Sequence, residues 1–255
     1  MPSPAATHPY IGATGPIAIA HRGGARESPE NTMQAFRYAA DLGFRYLETD
    51  AQLTADGVVV AFHDSSIDRV SASTGEIAEW RWDELRQIPI NRGGTLSSIA
   101  ELLAEFPDHY FNIDAKSDEV VGPLLSVVDD ANALDRVCFG SFSDKRLKNI
   151  QQLSGDAVCT SLGPKSLAVQ ILRGYGIRLF SVSGTGAQVP PSYKQFSILT
   201  KRFVNQAHAD GMFVHAWTID DAAEIHRLLD LGVDGIMTDR PSVLKEVFES
   251  RGLAL

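Results

Sequence analysis

Strand-like and helical segments alternate along nearly the whole chain, and this order constrains the fold more than any other feature of the sequence. The predicted strands are short apolar runs at Pro16–Gly24, around Glu48, and at Phe111–Lys116, Val137–Phe142, Ala157–Leu162, Leu179–Ser183, Phe213–Thr218 and Gly235–Asp239. Amphipathic helices are predicted at residues 31–42, 97–106, 118–132, 144–153, 165–174, 200–210, 220–231 and 241–250. Such alternation requires parallel strands, and eight of them close a TIM (β/α)8 barrel, for which 255 residues is a usual length.

A tight turn is expected after the second strand. Asp56-Gly57 is typical of a two-residue hairpin loop, because such turns need a positive φ. That turn predicts a register in which Asp50 lies opposite His63. Residues 58–63 would then run antiparallel to the second strand and form a flap on the barrel, outside the eight parallel strands.

The rest of the chain is predicted to form one domain. Residues 65–96 lack a regular pattern and stand where the second helix is expected, so they are interpreted as a short insertion after strand two that caps the barrel mouth. Residues 1–15 are rich in Pro, Ala, Gly and Thr and are interpreted as a flexible N-terminal arm. Residues 16–255 then form a single catalytic barrel.

Charge and hydropathy limit the partners of this domain. A net charge of −9 argues against binding to a nucleic-acid backbone. No signal peptide and no apolar run of membrane-spanning length is recognised, so a cytoplasmic protein without stable membrane insertion is expected. Cys138 and Cys159 lie in apolar runs and are expected to be reduced thiols in the core.

Polar residues gather at the carboxyl ends of the predicted strands, where TIM barrels carry their active sites. The candidate functional residues there and on the flap are His21, Arg22, Glu48, Asp50, His63, Asp114, Lys116 and Trp217. The i, i+2 spacing of Glu48 and Asp50, and of Asp114 and Lys116, puts each pair on one face of its strand.

These residue types predict a particular chemistry. Three carboxylates (Glu48, Asp50 and Asp114) without a thiolate suit a hard divalent cation, either Mg²⁺ or Ca²⁺. Two fixed cations beside them can bind a phosphate group, and two histidines can act as general acid and general base. The combination favours hydrolysis of a phosphodiester.

Five segments in the same order resemble the glycerophosphodiester phosphodiesterase family. They are His21-Arg-Gly-Gly, Pro29-Glu-Asn-Thr-x-x-Ala-Phe36, Glu48-Thr-Asp-x-x-x-Thr-x-Asp-Gly57, Val60-x-x-His-Asp64 and Trp217-Thr218. The resemblance implies a TIM barrel that hydrolyses small-molecule glycerophosphodiesters to an alcohol and glycerol 3-phosphate, with a divalent cation bound.

The same resemblance implies a role for each candidate residue. Glu48, Asp50 and Asp114 match the metal ligands, although the third acid is commonly Glu in the family. The resemblance also implies that His21 and His63 are the acid–base pair and that Arg22 and Lys116 bind the phosphate. Trp217 would pack against the alcohol portion of the substrate.

Other functions remain open from the sequence. Asp at the third position also occurs in sphingomyelinase D-like enzymes, so a lysophospholipase D or sphingomyelinase D-like activity on lipids is a second hypothesis. The apolar residues of loop 183–197 are compatible with it. A third hypothesis is a barrel that only binds phosphodiesters or proteins. Asp239 is expected to support the first strand where the barrel closes.

Overall fold

The strands and helices come from a computed structural model that describes residues 8–155, 158–177 and 180–255. The strands are β1 (Ile17–His21), β2 (Tyr46–Leu53), β3 (Val59–Ala61), β4 (Tyr110–Ala115), β5 (Val137–Gly140), β6 (Cys159–Thr160), β7 (Gly186–Val189), β8 (Ser192–Tyr193), β9 (Phe196–Ser197), β10 (Phe213–Ala216) and β11 (Gly235–Thr238). The helices are α1 (Met33–Asp41), α2 (Trp82–Leu85), α3 (Ile99–Glu105), α4 (Val121–Asp130), α5 (Asp144–Ser154), α6 (Pro164–Gly174), α7 (Lys201–Ala209), α8 (Ala222–Leu231) and α9 (Pro241–Ser250). Short 3-10 turns lie at Pro9–Ile11, Ile77–Glu79 and Leu134–Arg136.

Eight of these strands form a parallel barrel, which confirms the predicted TIM-barrel fold. Their order is β6-β5-β4-β2-β1-β11-β10-β7. A parallel bridge between Ser161 and Gly186 joins the two ends of the sheet. Five helices begin at side chains that accept a hydrogen bond from their own first turn, and these caps are Thr32, Ser98, Ser143, Thr200 and Asp221. None of the helices in the described ranges is long and apolar enough to cross a bilayer.

Side chains point alternately to the two faces of each barrel strand, so the barrel has two hydrophobic cores, one outside the strands and one inside them. On β1, Ala18 and Ala20 pack in the layer between strands and helices, whereas Ile17 and Ile19 belong to a second cluster inside the barrel. That inner cluster is apolar at the amino ends of the strands. The next inward position on β1 is His21, so the interior turns polar towards the carboxyl ends.

The N-terminal segment closes the lower end of the barrel. Residues 1–7 lie outside the described ranges, but residues 8–11 depart from the expected flexible arm, because Tyr10 is only 1% exposed. Its ring makes edge contacts with Tyr46 and Tyr110, at 5.4 Å and 6.0 Å between centroids. An aromatic side chain can bury its ring there because the lower interior is apolar.

The flap forms as predicted, but the predicted strand register is wrong by one residue. β3 runs antiparallel to β2, with Ala51 opposite Ala61. The loop holds three residues instead of two, with Gly57 at φ 82° and hydrogen-bonded to Thr54. This is the other common hairpin loop that an Asp-Gly pair can make. Asp50 consequently lies beside Phe62, whose amide donates to the Asp50 carbonyl.

The sixth barrel strand is displaced from the predicted Leu179–Ser183. Leu179 lies outside the described ranges, residues 180–183 form no strand, and β7 occupies the position instead. β7 begins with Gly186, which reads as a turn residue in the sequence. A Cβ there would lie 2.0 Å from the Phe213 ring, so only glycine allows this close approach. The predicted loop 183–197 therefore contains a barrel strand and the β8–β9 hairpin.

The insertion forms its own small core beside the flap. Its buried apolar residues include Ile67, Ile77, Leu85 and Ile90, which pack on the flap. Arg69 of the insertion forms ion pairs with Glu30 and Asp64. No residue of 65–96 lines the cavity at the carboxyl ends of the strands. The insertion therefore lies beside the barrel mouth and does not cap it as predicted.

His215 on β10 gives the barrel a pH-dependent stability. It is 2% exposed, and burial lowers its pKa from 6.5 to about 3. The unfolded chain therefore binds one more proton between those values, so stability is lost as the pH falls from about 6.5 towards 3. Urea unfolding of His215→Gln should show a fall in stability between pH 7 and pH 5 that is about 2 kcal/mol smaller than in the wild type.

An unchanged pH dependence in His215→Gln would show that this imidazole titrates alike in the folded and unfolded chains.

Candidate active site

A cavity of about 730 Å³ opens at the carboxyl ends of the strands, and the predicted site residues converge on it. All eight line its wall: His21, Arg22, Glu48, Asp50, His63, Asp114, Lys116 and Trp217. The i, i+2 spacing brought the strand residues to the interior as expected. His63 reaches the cavity from the segment just after β3, although the register that was used to place it is wrong.

Three neighbouring strands arrange the acidic residues in two levels. His21 is in register with Glu48 across β1 and β2. One level higher, Asp50 is in register with Asp114 across β2 and β4. Because parallel neighbours in register point the same way, these side chains share one patch of the barrel wall.

Two fixed cations lie among these carboxylates. Lys116 Nζ is 2.6 Å from Asp50 Oδ1 and 2.6 Å from Asp114 Oδ2. Arg22 has a left-handed backbone at φ 51°. Its amide donates to Glu48 Oε2 at 3.0 Å, and its Nε lies 3.1 Å from Asp50 Oδ2.

The carboxylates differ in how well their charge is compensated. Burial acts to raise the pKa of Asp50, but Lys116 and Arg22 outweigh it and the pKa lies below its usual value. Burial raises the pKa of Asp114 in spite of Lys116. Burial also raises the pKa of Glu48 to about 7, against the attraction of His21. Asp50 is therefore ionised, whereas the neighbouring cations compensate the negative charges of Glu48 and Asp114 only in part.

Each histidine of the pair is held by a carboxylate at the same ring nitrogen. His21 Nδ1 lies 2.6 Å from Asp239 Oδ1, and His63 Nδ1 lies 2.5 Å from Asp64 Oδ1. A carboxylate only accepts hydrogen bonds, so Nδ1 carries the proton in both rings. Nε2 of each ring is then left to exchange a proton with a bound molecule.

The Asp64 carboxylate is fixed by a further ion-pair network. Arg69 Nε donates to Asp64 at 2.6 Å, and the same guanidinium makes two bonds to Glu30 at 2.7 Å and 2.8 Å. Glu30 also accepts from Arg22 at 3.1 Å. The insertion thus contributes to the site by orienting the histidine on the flap.

Sequence reasoning missed the partners of the two histidines. Asp239 follows the last strand, and it holds His21 rather than only supporting the first strand. The signal was available, because β11 pairs with β1 when the barrel closes. Asp64 follows His63 directly in the sequence. Arg69 has no comparable signal, since its position depends on the irregular insertion.

The other half of the cavity is apolar. Helix α6 and residues 190–198 both contribute to its lining, and Trp217 lies in the same cavity. Its apolar lining, here called the apolar arm, consists of Phe142, Leu162, Pro164, Leu167, Ala168, Ile171, Pro190, Tyr193, Phe196 and Ile198. The Phe142 ring packs edge-on against Trp217 with 5.7 Å between centroids.

The acidic residues of the barrel wall form a candidate cation site. Within the described residues, no three His, Cys, Asp or Glu side chains are arranged ready to hold a metal ion. Lys116 Nζ occupies the space between Asp50 and Asp114. The donor chemistry nevertheless fits a hard cation: Asp114 Oδ1 is buried without a hydrogen-bond partner, and the pKa of Glu48 is raised by burial.

Comparisons with known proteins identify the family of the chain. The glycerophosphoryl diester phosphodiesterase family matches residues 21–243. A probable glycerophosphodiester phosphodiesterase 2 of Mycobacterium tuberculosis is 36% identical over 93% of this chain and 92% of its own length.

Solved structures share the fold at lower identity. A glycerophosphodiester phosphodiesterase of Agrobacterium tumefaciens superimposes with a TM-score of 0.77 at 20% identity, covering 91% of this chain and 99% of its own. A phosphodiesterase of Oleispira antarctica, in complex with the product sn-glycerol-3-phosphate, gives 0.75 at 21% identity, covering 92% and 97%.

Proposed function

The chain belongs to the glycerophosphoryl diester phosphodiesterase family and is a glycerophosphodiester phosphodiesterase, and on this premise we propose how its residues perform the hydrolysis. His21 and His63 form the acid–base pair, and Arg22 and Lys116 bind the phosphate of the substrate. A barrel that only binds its ligand is set aside by this membership.

The observation that carries the proposal is the matched setting of the two histidines. Both rings line one cavity, and both are held at Nδ1 by a carboxylate, Asp239 for His21 and Asp64 for His63. A proton donor and a proton acceptor are therefore oriented before the substrate binds. Positioned groups of this kind typically contribute about 10²–10⁴-fold to a rate.

The proton balance of the reaction needs both rings. The attacking water loses a proton to Nε2 of a neutral imidazole while its oxygen forms a bond to phosphorus. The ester P–O bond breaks on the other side, and the leaving alkoxide takes a proton from Nε2 of an imidazolium. Glycerol 3-phosphate and an alcohol result, and Trp217 packs against the alcohol portion.

Charge balance supports a divalent cation, Mg²⁺ or Ca²⁺, at the acidic wall. Three carboxylates face two fixed cations there (Glu48, Asp50 and Asp114 against Arg22 and Lys116). This leaves a deficit of one positive charge, and a phosphodiester anion would add a second negative charge. One divalent cation held by the three acids would offset both, and when bound it would polarise the phosphoryl oxygen.

A substrate and metal panel tests this function directly. Glycerophosphocholine, glycerophosphoethanolamine and glycerophosphoglycerol would each be incubated with Mg²⁺, with Ca²⁺ or with a chelator, and released glycerol 3-phosphate would be measured. Release from at least one diester is expected. No release from any of them, with either ion, would contradict the proposed reaction.

The length of the third acid gives a more specific prediction. Asp114→Glu should retain turnover within about tenfold, because Gly140 on the neighbouring strand leaves room beside it: a Cβ there would lie 3.5 Å from the Asp114 Cα. Asp114→Asn has the same size but no charge, and we expect it to lose about 10²-fold or more, the usual scale for a lost electrostatic group in a site. Measured kcat values check both.

The paired variants separate charge from shape. Thermal melting of both proteins should stay near that of the wild type, which excludes a folding defect. Equal activity in Asp114→Glu and Asp114→Asn would show that this carboxylate does not act through its charge.

A further inference from the structure

Two side-chain amides meet deep in the cavity and have no role in the proposed proton transfer. Asn112 lies on β4 in register with Glu48, and Gln188 lies on β7. Gln188 Nε2 donates to Asn112 Oδ1 at 2.9 Å, and both residues line the cavity. Because β4 and β7 are not neighbours in the sheet, this hydrogen bond crosses the barrel interior. We call Asn112 and Gln188 the amide pair.

His215 fixes the orientation of the amide pair. It lies in register with Gln188 on the neighbouring strand β10, and its Nδ1 is 3.4 Å from Gln188 Nε2. An amide nitrogen only donates, so Nδ1 of His215 is the acceptor and the ring carries its proton at Nε2. Burial lowers the pKa of His215 to about 3, so the ring is neutral and keeps this acceptor at neutral pH. Both hydrogens of the Gln188 amide then have an acceptor.

The amide pair presents one donor and one acceptor to a bound molecule. Among the residues that the structure describes, no hydrogen bond is made by Asn112 Nδ2 or by Gln188 Oε1. A hydroxyl group both donates and accepts, so a bound hydroxyl can satisfy both groups. A substrate that excludes water from the cavity without supplying such a partner leaves buried polar groups unpaired, which weakens its binding.

Glycerol is the part of the substrate that matches the amide pair. Its hydroxyls are neutral, and each can donate and accept. A choline or ethanolamine head group is a cation that cannot accept the hydrogen bond offered by Asn112 Nδ2. The pair also lies deeper than the phosphate site, because Asn112 precedes Asp114 by two residues on β4 and Lys116 Nζ contacts Asp114. A glycerol that extends from the phosphate into the barrel is directed towards the pair.

We propose that the amide pair hydrogen-bonds a hydroxyl of the glycerol moiety and so selects glycerol-containing diesters, with His215 as the residue that positions the pair. The inference rests on the proposed function, because it concerns the substrate of the same site. Asn112 and Gln188 contact the substrate and determine specificity. His215 is 2% exposed and does not line the cavity, so it acts through Gln188.

Substrate analogues that lack one hydroxyl test the proposal. In the diester that is cleaved best, glycerol is replaced by 1,3-propanediol, which lacks the sn-2 hydroxyl, or by 1,2-propanediol esterified at its primary hydroxyl, which lacks the sn-1 hydroxyl. In the wild type, kcat/KM should fall by about 10–100-fold with one of the two analogues, the scale for one buried polar group left without a partner. The ratio of kcat/KM between the parent diester and that analogue is the selectivity.

Variants of the pair should lose this selectivity. Gln188→Met removes both amide groups of that side chain at nearly constant size, so the selectivity should fall to near one, mainly through a higher KM for the parent diester. His215→Leu removes the acceptor and should also lower the selectivity, whereas His215→Asn keeps an acceptor oxygen and should restore it. Gln152→Met, on the exposed surface of α5, is the matched control and should keep the wild-type selectivity.

The outcomes separate this inference from the proposed function. Selectivity compares two substrates on one protein, so partial unfolding of a variant does not change it. Wild-type selectivity in Gln188→Met would overturn the proposal, as would an equal loss of kcat on the parent and both analogues, which would mean that the pair orients the attacking water. A wild type that cleaves the parent and both analogues equally would leave the reaction standing and refute the glycerol contact. Failure to cleave any diester would refute the proposed function, and this inference with it.

Discussion

Turnover should fall by about 10²–10⁴-fold when His63 is replaced by alanine, because the enzyme then lacks one of its two positioned proton-transfer groups. The side chain is 35% exposed and lies after β3, so little packing is lost. His21→Ala should show a loss of similar size. Steady-state kcat on the best diester, with melting temperatures for both variants, measures the effect.

The double variant gives the sharper result. If both rings serve one proton-transfer step, His21→Ala combined with His63→Ala should be scarcely slower than either single variant. His226→Ala on α8 is the control and should keep full activity. A His63→Ala enzyme with near-normal turnover, or losses that multiply in the double variant, would rule out the acid–base pair.

Removal of divalent cations should abolish turnover, and Mg²⁺ or Ca²⁺ should restore it. The physical reason is the charge deficit at Glu48, Asp50 and Asp114, which an anionic substrate would make worse. Binding can be measured without any reaction. A cation at a hundred times its dissociation constant adds about 2.7 kcal/mol to the stability of the folded protein, or roughly 5–10 °C in melting temperature.

Glu48→Gln tests where the cation binds. It removes one ligand charge and keeps the size, so the melting temperature should respond much less to added cation than in the wild type. The variant without metal should be no less stable than the wild type at neutral pH, since burial already raises the pKa of Glu48 to about 7. Equal melting curves for the wild type with cation and with chelator would contradict the metal site.

Local spacing in the sequence was sufficient for most of the site. Glu48 and Asp50 are two residues apart on a strand, and this spacing places both carboxylates on the same face of it. Helix positions followed from apolar periodicity and agree with α3 to α9 within a few residues. These features depend on neighbours in the sequence, which can be read directly.

Features that depend on distant contacts were not predictable in the same way. The glycine that begins β7 looks like a turn residue until Phe213 on β10 is seen to occupy the space beside it. The partner of His21 lies 218 residues away at Asp239. The hairpin register failed for another reason, since an Asp-Gly pair suits loops of two and of three residues.

The Tyr10 contact determines where the folding unit begins. A protein truncated to begin at Ile17, where the first strand starts, would still contain every barrel strand. It would lack Tyr10, whose ring fills the barrel interior at the amino ends of the strands. Loss of a buried aromatic side chain costs about 3–5 kcal/mol, a large share of the stability of a typical domain. Truncations should therefore keep residues 8–16.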